Sequence, residues 1–182
     1  MYSDKDIKIA GDKPSKEIKK QKESVAESGG PSKEEIKKAR EWGKRVALQF
    51  VEDARENKTE SDLADFDCEM IIQRRMLLSF TATVGFEQLI SNDTLSGIAQ
   101  KSFIDTVKKE DAELYRTQGD TGAFSFYYLA FRRGNEIDRR MGQTFAMLCS
   151  HDGDPVYQEL GEALYCWFLS VVKKTARELG LI

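Results

Sequence analysis

The stretch that decides the fold is Phe124–Leu148, FSFYYLAFRRGNEIDRRMGQTFAML. Its apolar residues recur with a period near 3.6, which is typical of an α-helix buried along one side. They are Phe124, Tyr127, Phe131, Met141, Phe145 and Leu148. Gly134 and Asp138 fall on the same side, so the apolar stripe narrows and becomes partly polar in its middle. The pair Gly134-Asn135 is one that often ends a helix. Because the apolar spacing resumes nearly in phase after it, we expect one continuous helix.

The same periodicity predicts further helices on both sides of this stretch. They run from Ser32 to about Asn57, from about Asp62 to Ser91, from about Leu95 to Lys109, and from Asp154 to Gly180. Start signals support them: Ser32 and Glu35 form a capping-box pattern, Asn92 precedes the third helix, and Asp154-Pro155 opens the last. The second becomes apolar nearly all round, which is typical of a central helix. The sequence therefore predicts an all-α bundle of about five helices with short connections.

Composition divides the chain into two parts. Residues 1–31 are rich in Lys, Glu and Ser and are expected to form a mobile, charged tail. Residues 32–182 are expected to form a single helical-bundle domain, for which this length is sufficient. The start of the chain has no apolar run typical of a secretory signal. The cysteines, Cys68, Cys149 and Cys166, have no CxxC spacing, so a reducing cytoplasm is expected.

Net charge and apolar runs restrict the partner classes. The chain carries a net charge of -3, of which residues 1–31 contribute +1 from seven Lys and six Asp/Glu, leaving -4 for the remainder. A weakly acidic helical part argues against a general nucleic-acid binder. The most apolar run, residues 70–90, is interrupted by Arg74, Arg75 and Glu87, so no membrane span is expected.

No specific catalytic, metal or cofactor motif is present. His151 is the only histidine, so the two Glu-x-x-His pairs of a di-metal bundle are missing. Cys149 and His151 supply only two potential zinc ligands. Their closeness in sequence does not predict a nucleophile and base in hydrogen-bond reach, since such pairs are assembled spatially. We expect no metal and no cofactor, and we expect a protein that is not an enzyme.

The arginines are the one feature that points to a site. Arg74 and Arg75 interrupt an apolar helix, so at least one needs a partner near the core, with Glu87, Glu136 and Asp138 as candidates. One interpretation is a salt-bridge network between helices, with local pairs around Glu136 and Asp138. The other is an anionic-ligand pocket where guanidinium groups and tyrosines converge. Its candidate ligand-binding residues are Arg74, Arg75, Tyr127, Tyr128, Arg132 and Arg139.

Three function classes stay open at this point. The first is a non-enzymatic protein-interaction module that self-associates through an aromatic-rich helical face, because the wide apolar stripes need cover. The second is a small-ligand or enzymatic bundle that uses the Arg/Tyr cluster of the fourth helix. The third is a nucleic-acid-associated factor, which requires Arg132, Arg133, Arg139, Arg140 and nearby lysines to form one basic face. Arginines that already pair with carboxylates favour the first class over the second.

Overall fold

The computed structural model describes residues 30–60, 68–117 and 121–182. These ranges contain seven α-helices and no strand, so the all-α prediction is confirmed. The helices are α1 (Lys33–Glu60), α2 (Cys68–Leu89), α3 (Asp93–Glu110), α4 (Ala112–Thr117), α5 (Thr121–Arg132), α6 (Ile137–Leu148) and α7 (Pro155–Glu178). All lie in the compact unit Ser32–Ile182. The predicted mobile tail, up to residue 29, lies outside the described residues.

Three of the predicted helix starts are confirmed atom by atom, whereas the start predicted near Asp62 lies outside the described residues. The backbone N of Ser32 donates to Glu35 Oε2 at 2.8 Å, and the backbone N of Glu35 donates to Ser32 Oγ at 3.2 Å. Asn92 Oδ1 accepts hydrogen bonds from two backbone N–H groups at the start of α3. Asp154 Oδ1 accepts one from Val156 at 2.8 Å. These side chains satisfy backbone donors that have no partner inside the helix, and this fixes where each helix begins.

The described ranges contain seven helices rather than about five because the chain is divided at two further places. The first division is at Asp111, just beyond the end predicted for the third helix; this residue has an extended backbone at φ -151° and ends α3. Its Oδ1 accepts a hydrogen bond from the backbone N of Leu114 at 2.9 Å, so the same residue caps α4.

The second division corrects our expectation for the stretch Phe124–Leu148. The continuous helix is wrong: α5 ends at Arg132 and α6 begins at Ile137. Gly134 has φ +76° and Glu136 has φ +50°, both in the left-handed region that ends a right-handed helix. In a continuous helix, Gly134 and Asp138 would have shared the buried side. The turn leaves both exposed to solvent, so the polar middle of the stripe never enters the core.

α2 lies at the centre of the packed helices, as its apolar residues predict. It contacts α1, α3, α5, α6 and α7. Its middle is buried on every side, from Met76 through Phe86, with only Thr83 partly exposed. None of the helices in the three described ranges is long and apolar enough to cross a membrane.

Two helix pairs pack closely at glycines. α1 packs most extensively on α3, and α6 on α7. A Cβ atom on Gly43 would clash with the backbone carbonyl of Ala99, and one on Gly142 would clash with that of Gln158. Each glycine therefore lets two helix backbones approach more closely than any other residue permits.

Candidate functional site

Arg74 forms a buried ion pair with an unexpected partner. Its Nη2 lies 2.6 Å from Asp53 Oδ1, and its Nε donates to Asp53 Oδ2 at 3.1 Å. The two side chains are 19% and 7% exposed. The partners considered from the sequence, Glu87, Glu136 and Asp138, are wrong for this arginine. Asp53 belongs to α1, and the bidentate geometry joins α1 to α2. Arg74 also forms one wall of a cavity of about 230 Å³ beside Trp167 and Leu160 of α7.

Arg75 has a different environment from its neighbour. Its side chain is partly buried, and its Nε is fully buried without a hydrogen-bond partner in the described part of the chain. Successive residues of a helix point about 100° apart, so Arg75 faces away from the Asp53–Arg74 pair.

Tyr127 and Tyr128 also differ in their burial. Tyr127 is fully buried, and its hydroxyl has no hydrogen-bond partner among the described residues. Burial, with a smaller contribution from nearby Cys149, raises the pKa of Tyr127 well above its ordinary value. Tyr128 is 46% exposed. Both rings contact Phe80 of α2, at centroid distances of 5.6 Å and 6.3 Å. Tyr127 therefore works as a core residue, and only Tyr128 is accessible.

The arginines around the α5–α6 turn are interleaved with acids. Arg139 Nη1 lies 3.6 Å from Glu136 Oε1, which confirms the predicted local pairing. The pair is exposed, so it contributes little stability. Arg140 Nε donates to the backbone carbonyl of Asn135 at 2.8 Å, and Arg132 is exposed. Glu136 and Asp138 interrupt the basic face that nucleic-acid binding would require.

The arrangement favours a structural role for Arg74 and Arg139, because both already face carboxylates. The ligand-binding role of the six candidate residues stays a prediction. Among them, Arg74 lies between α1 and α7, Tyr127 lies in the core, and Arg139 lies beyond the turn. A single pocket formed by all six is not the arrangement that the chain adopts.

The outer side of α5 carries three exposed apolar residues, of which only Tyr128 was a candidate from the sequence. Phe126 is 49% exposed, Tyr128 46% and Leu129 61%. The opposite side of the same helix, with Ala123, Tyr127 and Ala130, is buried. We call Phe126, Tyr128 and Leu129 the α5 outer face. The spacing of Phe126 and Leu129, three residues apart, was a signal that they share a side.

A larger cavity lies where α2, α3, α4 and α5 meet, and the sequence analysis missed it too. We call it the four-helix cavity. Its volume is about 390 Å³. It is lined by Ser79, Thr83, Phe86, Gln100, Phe103, Ile104, Tyr115, Arg116 and Phe124. None of these residues was a candidate, because nothing in local spacing relates α4 to α2.

Cys149 and His151 lie in different surroundings. Cys149 is buried at the end of α6. The His151 ring stacks on Tyr157, with centroids 3.8 Å apart and planes 9° apart, and its Nδ1 lies 4.0 Å from Asp154 Oδ2. Within residues 30–60, 68–117 and 121–182, no three His, Cys, Asp or Glu side chains are grouped to hold a metal ion.

Comparison of the chain with protein-family models, with curated proteins and with solved structures finds no match in any of the three. The function is therefore argued from the geometry of the chain itself.

Proposed function

We propose that this chain is a cytoplasmic, non-enzymatic helical-bundle protein that self-associates through the α5 outer face. One observation carries the proposal. Phe126, Tyr128 and Leu129 lie on a single twelve-residue helix, and each leaves about half or more of its surface exposed. Around the helix Leu129 lies between Phe126 and Tyr128. Exposed apolar groups that form one patch mark contact surfaces in soluble proteins, whereas single scattered ones do not.

The composition of this surface suits a protein contact. Aromatic residues and Arg are enriched in interfaces, where aromatic anchors supply most of the binding energy. Arg132 ends α5 and Arg133 follows it. Both are exposed, and neither side chain has a hydrogen-bond or ion-pair partner within the described ranges. The apolar residues would form the centre of the contact and the arginines its rim.

Two further observations support the other parts of the proposal. Cys166 is an exposed thiol, which is compatible with a reducing compartment. The ring of His151, the only histidine, is stacked on Tyr157, and a catalytic base needs a free approach to its substrate.

Light scattering after size exclusion, over a range of concentrations of the full chain, tests self-association. We expect a dimer for the wild type and a monomer for the double variant Phe126→Ser, Leu129→Ser. Val156→Ser is the matched control, because Val156 is 70% exposed but lies on α7. It should leave the dimer unchanged. A wild-type monomer at all concentrations, or a dimer that survives the double substitution, would contradict the proposal.

A further inference from the structure

The four-helix cavity has the size of a small-molecule site. Its volume of about 390 Å³ falls in the range of roughly 300–1,000 Å³ that is typical of such sites. Four separate helices contribute to it, so its shape depends on the assembled fold rather than on one mobile segment.

Ile104, Tyr115 and Phe124 form the accessible apolar wall of this cavity. Phe86 and Phe103 lie beneath it, almost fully buried, and their ring centroids are 6.0 Å apart. Trp42 packs edge-on behind Phe86 at 4.7 Å, and Phe124 packs against Phe80 at 5.7 Å. Side chains held by this much packing are fixed before a ligand arrives, which reduces the entropic cost of binding.

Arg116 is the one charged residue among those that line the cavity in the described part of the chain. The side chain of Arg116 is exposed and makes no hydrogen bond or ion pair within the described residues. Lys108 Nζ lies 5.5 Å from the ring centroid of Tyr115, another lining residue, and adds a second positive charge nearby. Glu87 lies close by, accepting a hydrogen bond from Gln100 Nε2 at 2.9 Å, but it does not line the cavity. The cavity therefore presents an apolar floor beside an unpaired guanidinium group.

We propose that the four-helix cavity binds a small organic anion in which an aromatic body carries a carboxylate. The aromatic body packs against Ile104, Tyr115 and Phe124, and the carboxylate pairs with the guanidinium group of Arg116. Guanidinium and carboxylate groups match each other in a bidentate geometry. This site is separate from the α5 outer face and goes beyond self-association.

A matched pair of probes tests the charge requirement on the full chain. Naphthalene-1-acetate and naphthalene-1-acetamide share one aromatic body and differ in the carboxylate. Titration calorimetry should show the acid binding about two- to fivefold more tightly than the amide, since an ion pair with an exposed guanidinium group contributes modestly. In Arg116→Gln the acid should weaken to the level of the amide, while the amide is unchanged. Arg177→Gln, at an exposed arginine of α7, is the control and should bind both as the wild type does.

A second variant tests the location without removing charge. Ile104 lines the cavity and is 45% exposed, so Ile104→Trp should fill the space and abolish binding of both probes. Circular dichroism confirms that each variant is folded. Equal binding of acid and amide to the wild type, no binding at millimolar concentration, a preference for the acid that persists in Arg116→Gln, or unchanged binding in Ile104→Trp would each overturn the proposal.

Discussion

The ion pair of Asp53 and Arg74 is the residue-scale contact that most directly joins two helices. Because the two side chains are largely buried, removing one charge leaves the other poorly solvated. We expect Asp53→Asn or Arg74→Met to lower the free energy of unfolding by about 2–4 kcal/mol. The double variant should cost clearly less than the sum of the two. Urea denaturation of all four proteins measures this coupling, and additive losses would show that the pair does not act as a unit.

For Tyr127 we expect a substitution to keep or raise the free energy of unfolding rather than lower it. Its buried hydroxyl has no hydrogen-bond partner in the described part of the chain, so it lost its water contacts on folding without compensation. Tyr127→Phe should leave the free energy of unfolding unchanged or raise it by about 1 kcal/mol. Tyr128→Phe, on an exposed neighbour, is the control and should change nothing. A loss of stability in Tyr127→Phe alone would mean that the hydroxyl has a partner after all.

At the scale of elements, the contacts of α1 with α3 and of α6 with α7 depend on glycine. Gly43→Ala and Gly142→Ala place a methyl group against a backbone carbonyl, which cannot turn aside as a side chain can. Each should therefore lower the free energy of unfolding by about 1–3 kcal/mol.

Gly97 in α3 is the matched control for these two substitutions, because a Cβ there meets nothing within 4 Å. Gly97→Ala should raise stability by about 0.5–1 kcal/mol through the higher helix propensity of alanine. Thermal unfolding of the three variants distinguishes a loss of stability from a gain. Similar effects at all three glycines would show that propensity, and not the close approach of backbones, dominates.

The whole molecule should lose stability in alkali. Burial raises the pKa of Tyr165 to about 12, with smaller contributions from Cys166 and Asp138, and it raises the pKa of Tyr127 well above the ordinary value. Above pH 10 or so the unfolded chain releases these protons while the folded chain keeps them. The contribution of these two tyrosines to the free energy of unfolding is therefore complete below about pH 10. It is lost as pH rises through the pKa values that they have in the folded chain.

Urea midpoints measured from pH 8 to pH 11 check this dependence. We expect a steady fall above about pH 10. The fall should be shallower in the double variant Tyr127→Phe, Tyr165→Phe, which removes both ionisable groups. An identical slope in the two proteins would assign the loss to other residues.

Local features of the fold could be read from the sequence because they depend on neighbours along the chain. The Ser32–Glu35 capping box, the caps at Asn92 and Asp154, and the end of α7 at Gly180, with φ +63°, each involve residues within a few positions of one another. The central position of α2 was also predictable, since a helix that is apolar all round needs cover on every side. The pair Gly134-Asn135 also indicated the end of a helix. The apolar spacing, which resumes nearly in phase after this pair, favoured a continuous helix instead.

The sequence by itself determined that this chain is helical and where most of its helices begin, because hydrophobic period and capping act over one or two turns. Only the tertiary structure decided that Arg74 pairs with Asp53, that Tyr127 is buried while Tyr128 is exposed, and that Arg116 and Phe124 line one cavity. These features depend on residues that lie far apart in the chain. They follow from which helices pack together, and that is set by the fit of whole surfaces rather than by any local pattern.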